Sequence, residues 1–225
     1  MLDISATVGR IMPSRVYHFM RRSMASFERK RESTRSFPSL SAKHLSGAQL
    51  LPSRHTLLER LPHKGTIAEL GVDEGDFSAQ ILKVCSPHKL HLVDSWGSAT
   101  YDKSKQDSVY ARFVTPQQLG TVEINLGRST NVAEQFEDSY FDWIYIDTDH
   151  SYAVTKAELL AYHKKIKPGG YLAGHDYILG NWTHRIRYGV KEAVHEFCIE
   201  HDWKIVYLTM ECPGYPSFAL QRIGA

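Results

Sequence analysis

Cysteine is scarce in this chain: three in 225 residues, at Cys85, Cys198 and Cys212. No two stand in a CxxC pair, which argues against a disulfide framework or a zinc site and for reduced thiols. Long apolar runs are also missing. Nothing approaches the roughly 20 residues that a membrane-spanning helix needs. The opening residues, MLDISATVGRIMPSR, lack the compact apolar core and small-residue cleavage site of a secretory signal. The expected location is therefore cytoplasmic. No internal repeat appears, and the net charge is only +2.

That small charge conceals an asymmetry. Residues 1–50 hold nine Lys/Arg against three Asp/Glu, whereas the rest holds eighteen against twenty-two. The basic character belongs to an N-terminal arm, residues 1–49, ahead of a mildly acidic domain at 50–225. Within the arm, Val8, Ile11, Met12, Val16, Phe19 and Met20 recur at near-helical spacing, with Arg10, Arg15, Arg21 and Arg22 between them. Such a helix packs on its own domain or on a second subunit of a homo-oligomer, or it touches nucleic acid or a membrane; the last is the lesser reading. The segment from Phe27 to Ser41, rich in Arg and Ser, reads as a linker.

Past the arm, strand and helix patterns alternate. Leu50–Leu61 reads as a helix and Thr66–Leu70 as a strand. Phe77–Val84 is helical, Leu90–Val93 extended, Asp107–Val114 helical and Val122–Leu126 extended. Asn131–Phe136 and Tyr152–Ile166 read as helices around a strand at Trp143–Ile146. Tyr171–Ala173, a helix at Val190–Glu200, and strands at Trp203–Leu208 and Ser217–Gln221 complete the series. Alternation of this kind predicts an α/β fold: a Rossmann-like, doubly wound, mostly parallel sheet with helices on both faces and an antiparallel C-terminal edge strand.

The most informative block is FDWIYIDTDHSYAVTKAELLAYHKKIKPGGYLAGHDY, residues 141–177. One strand in it stops at Asp147, with Asp149 and His150 directly behind; the next ends in Gly174-His175-Asp176-Tyr177. Ligands of open α/β sheets bind outside the carboxyl ends of the strands. Asp147, Asp149, His150, His175 and Asp176 are thus expected to line one crevice.

The first βα turn, Glu69-Leu70-Gly71-Val72-Asp73-Glu74-Gly75, offers bare backbone at a helix N-terminus, because its two glycines carry no Cβ. It does not match GxGxxG, and acids at 69, 73, 74 and 76 would repel a pyrophosphate. They suit a cationic ligand instead, such as one carrying an amino group and a sulfonium. Asp94, at the end of the second strand, is positioned to accept from ribose hydroxyls.

The series AELGVDEGDFSAQIL, LHLVDSWG, LGRST, FDWIYIDTDHSY, KPGGYLAGHDY and GVKEAVHEF resembles class I S-adenosylmethionine-dependent methyltransferases. It looks most like the bacterial branch of macrocin-type and rhamnosyl O-methyltransferases, and it is distantly similar to catechol-type enzymes. The resemblance runs from about Leu50 to Leu220 and leaves out the arm. It implies S-adenosyl-L-methionine as cofactor, with Glu69 and Gly71 facing the methionine part and Gly75 permitting the close turn. Asp94 would hold the ribose, Ser95, Trp96 and Ser129 would border the adenine, and Asp147 would lie beside the sulfonium.

Metal-dependent relatives place a divalent cation, Mg or Mn, on positions that match Asp147, His175 and Asp176. This chain departs from their pattern, since His175 stands where an oxygen ligand is usual. Magnesium prefers hard oxygen donors, whereas imidazole suits manganese, iron or zinc. Asp149 supplying the missing oxygen, or His175 merely orienting Asp176, are alternatives.

His150 matches a general-base lysine of the catechol-type relatives. An imidazole, with an ordinary pKa near 6.5, accepts a proton at neutral pH. Its alternative role is to cap the helix that follows. Tyr101, Tyr110, Tyr177, His184 and Arg185 are lesser candidates on surrounding loops.

The expected function is O-methylation of a small-molecule hydroxyl, on a sugar or secondary metabolite, with His150, Asp147 and Asp176 as the catalytic group. Two other readings stand beside it: methylation of RNA or a membrane-bound glycan gripped by the arm, and a non-catalytic S-adenosylmethionine-binding partner protein.

Overall fold

The structure is a computed structural model that describes residues 37–181, 186–211 and 214–224, together with 15, 16, 19, 22, 23 and 26. The chain divides into two units, Met1–Phe37 and Pro38–Ala225. In the first, the described positions 15, 16, 19, 22, 23 and 26 are helical. The remainder of the expected arm helix lies outside the described residues.

The second unit is built on an eight-stranded sheet. Its strands are β1 (Gln49–Leu51), β2 (Thr66–Leu70), β3 (Lys89–Asp94), β4 (Val122–Leu126), β5 (Phe141–Ile146), β6 (Ile166–Gly174), β9 (Trp203–Thr209) and β10 (Phe218–Arg222). Their order across the sheet is β1-β9-β10-β6-β5-β2-β3-β4. Two short strands, β7 (Gly180–Asn181) and β8 (Ile186–Arg187), form a separate antiparallel ribbon. Only β10 runs against its neighbours in the main sheet; β9 and β6 flank it, and all other pairings are parallel. The fold is therefore the Rossmann-like, mostly parallel architecture that the strand and helix alternation predicts.

The strands are apolar on both faces because helices cover both. α1 (Arg54–Arg60), α2 (Asp76–Cys85) and α3 (Lys103–Arg112) bury Leu57, Ile81 and Val109 with Ile67, Leu92 and Trp143 of the sheet. On the opposite face, α6 (Tyr152–Tyr162) and α7 (Val190–His201) bury Leu159, Val194 and Phe197 with Leu70, Ile144 and Leu172. The short α4 (Val114–Gln118) and α5 (Ser129–Val132) complete the set. Cys85 and Cys198 are buried free thiols, each with its pKa pushed up to about 12 by burial. Cys212 lies outside the described residues. Among the described residues, no helix is long and apolar enough to cross a membrane.

Several boundaries differ from the sequence reading, each for a local reason. The helix expected over Leu50–Leu61 begins only at Arg54, where Ser53 caps it by accepting from the Thr56 amide. Residues before Pro52 instead pair with Tyr207–Thr209 as β1, a contact between distant segments that no local pattern announces. The helix expected over Asp107–Val114 starts earlier because Asp102 accepts from the amides of Ser104 and Lys105. The one expected over Asn131–Phe136 is a short α-turn from Ser129 followed by a 3-10 turn.

The largest difference lies before the second strand of the informative block. The α-helix ends at Tyr162, a 3-10 turn spans His163–Lys165, and β6 begins at Ile166 rather than at Tyr171. Lys167-Pro168-Gly169-Gly170 does exclude a helix, yet it lies within the strand. The β5–β6 register shifts there, which accommodates a proline that cannot donate to the ladder.

β2 lies between β5 and β3, and the chain reverses its winding at the β2–β5 junction. That is the switch point at which open α/β sheets bind ligands.

Candidate functional site

Four strands end side by side at the switch point. Leu70 pairs with Val93 and with Ile146, and Ile146 pairs with Gly174. The residues that follow, Gly71, Asp94, Asp147 and His175, are brought to one rim by register alone.

The β2 side of the rim is held by main chain. Gly71 has φ +87, and a Cβ there would collide with the carbonyl oxygen of Asp147. Its amide donates to Val93, while the Asp147 amide donates to Leu70 at 2.7 Å. Gly75 caps α2 in the left-handed region at φ +78, and a Cβ on it would meet the Phe113 ring at 2.6 Å. Asp94 accepts from the amides of Val72 at 2.8 Å, Asp73 at 3.2 Å and Trp96 at 2.9 Å. Its carboxylate thereby stitches the first βα turn to its own loop, with lone pairs left over. Trp96 is buried and donates its indole N–H to the Asp73 carbonyl, while Ser95 is exposed.

Glu69 points from β2 beneath this turn. It is 1 % exposed and accepts from the Ser78 hydroxyl. Burial pushes its pKa up to about 8, with the nearby acids Asp147 and Asp94 adding to the rise and Ser78 and Arg54 opposing it. Such a carboxyl gains most from a cationic neighbour.

The β5–β6 side is held by side chains. Asp176 is 3 % exposed and sits at φ +57. Its Oδ2 lies 2.8 Å from His150 Nδ1 and 3.4 Å from His175 Nδ1, and His175 Nδ1 is 3.6 Å from Asp147 Oδ1. Burial alone would raise the Asp176 pKa, but the two imidazoles overcome it and hold the group well below the usual carboxylate range. Burial penalises the imidazolium forms of His150 and His175, yet the carboxylates prevail and both pKa values are raised. Asp147 is raised by burial, with His175 opposing.

Two of the alternatives left by the sequence concern this cluster. Ser151, not His150, caps α6, its hydroxyl accepting from the Val154 amide. Asp149 is exposed and accepts from the Ser151 amide, and it is not among the grouped ligand atoms. Among the described residues, Asp147, His175 and Asp176 offer ligand atoms within 4.8 Å of one another. Two carboxylates and an imidazole form a donor set that fits manganese or iron better than magnesium.

Ser129 sits at the start of α5 and donates to Glu158, a fully buried acid that also accepts from Thr148 at 2.8 Å. Burial pushes the Glu158 pKa up to about 7. Tyr101 is exposed, and its hydroxyl feels the charges of Asp73, Asp147 and Asp94. Tyr110 is exposed on α3, and Tyr177 is buried against His195. His184 and Arg185 lie outside the described residues.

Sequence reasoning missed four contributors. Tyr188 packs its ring 4.6 Å from His150, Tyr215 stands 6.3 Å from both Tyr188 and His175, and Glu158 underlies the rim. Arg54 is the fourth, lying before the first expected strand. Tyrosines in loops carry no spacing signal. A Glu inside the apolar stretch of α6 was the available hint for Glu158.

Residues 68–177, just under half of the chain, match a protein-family model described as a methyltransferase domain. The match takes in Glu69, Gly71, Asp94, Asp147, His150, His175 and Asp176, but neither Arg54 nor Tyr188. No curated protein matches the chain. Among solved structures, it is similar to the O-methyltransferase from Bacillus cereus in complex with SAH, at 16% identity and TM-score 0.57, over 80% of this chain and 84% of that one. It is also similar to the B. subtilis M1A22 tRNA methyltransferase TrmK, at 13% identity and TM-score 0.54, over 76% of this chain and 66% of that one. Spermidine synthase from Thermotoga maritima gives 16% identity and TM-score 0.53, over 80% of this chain and 58% of that one. At these identities the likeness is one of fold.

Proposed function

We propose that this chain is an S-adenosylmethionine-dependent methyltransferase that methylates a hydroxyl of a small molecule, a sugar or secondary metabolite, with His150 as general base. The carrying observation is the 2.8 Å pairing of His150 Nδ1 with the buried Asp176 carboxylate beside Asp147. A carboxylate on Nδ1 fixes the tautomer and leaves Nε2 free to take a proton, the logic by which an acid orients a catalytic histidine.

Methyl transfer from a sulfonium is an in-line displacement. The acceptor oxygen attacks the methyl carbon, the carbon–sulfur bond breaks toward the sulfur, and the hydroxyl proton passes to His150 Nε2. The protein's task is alignment and deprotonation. Glu69 and Asp147 favour a cationic donor electrostatically, and Asp94 retains acceptor capacity for the ribose. The acceptor enters on the side of Tyr188 and Tyr215, whose faces suit a ring. Asp147, His175 and Asp176 would hold a divalent cation, manganese in preference to magnesium. When bound, that ion would lower the pKa of a hydroxyl. The buried free thiols Cys85 and Cys198 fit a reducing, cytoplasmic setting.

The test is methyl transfer from S-adenosylmethionine to a panel of phenols and sugar glycosides, read by mass spectrometry. Loss of a general base costs about 10²- to 10⁴-fold, so His150→Gln is expected to lower kcat within that range and leave cofactor binding intact. Cofactor bound with no methyl leaving toward any hydroxyl would favour the non-catalytic reading. EDTA without effect on turnover would remove the metal and leave activation to His150.

A further inference from the structure

One cation whose charge reaches Glu69 and Asp147 enters neither the sequence motifs nor the proposed chemistry. Arg54 opens α1, directly after β1 and Pro52. Its backbone is fixed, because the Glu211 carboxylate accepts from the Arg54 amide. Its guanidinium lies 4.7 Å from the centroid of the Phe77 ring, which packs 4.4 Å from the Tyr145 ring. Tyr145 stands opposite Glu69 in the β2–β5 register and two residues before Asp147. Arg54 is thus held over the start of α2, above the strand ends that carry Glu69 and Asp147.

The other cations around the first βα turn are engaged. Lys105 pairs with Asp73 and Glu74, and Arg112 pairs with Asp76 at 2.6 Å. Among the described residues, the Arg54 guanidinium makes no hydrogen bond or ion pair; its contact is the Phe77 ring. Its charge nevertheless reaches the pocket, favouring the ionised forms of Glu69 and Asp147 and opposing the imidazolium of His175. A guanidinium stacked on an aromatic ring keeps its donor edge free and preset for a planar, two-oxygen acceptor.

We propose that Arg54 binds the α-carboxylate of the amino-acid part of the methyl donor, while Glu69 and Asp147 face its ammonium and sulfonium. This rests on the methyltransferase reading and adds to it. The acids around the first βα turn would repel the carboxylate of a zwitterionic donor, and Arg54 supplies an opposing charge on that side. Neutralising the carboxylate is what makes an acid-lined cleft accept an amino acid. Stacking on Phe77 limits the rotamer freedom that Arg54 would otherwise lose on binding.

The experiment is a cycle between protein and ligand, read by calorimetry rather than by turnover. S-adenosylhomocysteine and S-adenosyl-3-thiopropylamine, which lacks only the carboxylate, are titrated into wild-type protein, Arg54→Met and Arg54→Lys. Wild type is expected to prefer S-adenosylhomocysteine by about 10- to 100-fold, the worth of a charge-assisted hydrogen-bonded pair. Arg54→Met should abolish that preference and leave the affinity for the amine within about twofold, because Met retains the contact with Phe77. Arg54→Lys should restore part of the preference. Equal weakening of both ligands by Arg54→Met would mean that Arg54 only shapes the fold, and an unchanged preference would mean that it faces elsewhere; either overturns the proposal. Failure of wild-type protein to bind S-adenosylhomocysteine at all would remove the donor reading first, and this assignment with it.

Discussion

The two halves of the pocket rim are built from different materials. Around β2 and β3, the geometry is set by main chain: Gly71 against the Asp147 carbonyl, and Asp94 holding three amides. Around β5 and β6, it is set by charged side chains meeting on one buried carboxylate, Asp176, between two imidazoles. A main-chain cradle is insensitive to protonation and tolerates little added volume. A side-chain cluster tolerates isosteric change but depends on charge. The difference matches the work proposed for each half: one would hold a ligand of fixed shape, and the other would give and take a proton.

The sharpest way to break the main-chain half is Gly71→Ala. At φ +87 an L-residue costs about 1–2 kcal/mol. Collision with the Asp147 carbonyl adds an overpacking cost of about 1–3 kcal/mol. Urea unfolding is therefore expected to show a loss of roughly 4 kcal/mol. Gly120→Ala is the control, since its φ is +74 with nothing within 4 Å of an added Cβ, and it should lose only the first part. Equal losses in the two variants would mean that the close approach of β2 and β5 is not what fixes the cradle.

Asp176→Asn breaks the other half. Asparagine tolerates the left-handed backbone at φ +57 and preserves shape, so the variant should fold. His150 and His175 lose the charge that they share. About a hundredfold fall in kcat is expected, at the lower end of general acid–base contributions. The Kd for S-adenosylhomocysteine should stay within about twofold, because Asp94 and Gly71 are untouched. A comparable loss in both measurements would show that the halves are not separable.

The contrast also explains what could be read from the sequence. Asp147, His150, His175 and Asp176 were legible because strand-end chemistry is compressed into one block, with strand periodicity pointing to each end. Gly71 and Asp94 were legible from their distance along consecutive βα units. Gly75 was expected to admit a ligand, and it also makes room for Phe113, a partner 38 residues away that spacing cannot reveal. Arg54, Tyr188 and Tyr215 reach the rim through β1 pairing and loop packing, which leave no periodic trace. The lysine–proline–glycine run falls between the expected helix and the expected strand. It belongs to β6 because a register shift against β5 absorbs it.

Glu158 couples the halves from beneath, and it offers the smallest effect. It accepts from Ser129, at the end of the β4 loop, and from Thr148, beside Asp147. Its pKa is pushed up to about 7 in the folded chain by burial, against an ordinary value of 4.5. Between these values the folded state retains a proton that the unfolded chain has released. Stability from this group is therefore greatest at low pH, falls as pH rises from about 4.5 toward 7, and levels off above. Glu158→Gln preserves the shape and the acceptor for both hydroxyls but cannot ionise. Relative to wild type, it should lose nothing at pH 5 and gain roughly 1 kcal/mol at pH 8. Urea midpoints for the two proteins across that range provide the measurement. Parallel profiles would mean that Glu158 stays ionised in the folded chain, with the hydroxyls of Ser129 and Thr148 sufficient to hold its charge.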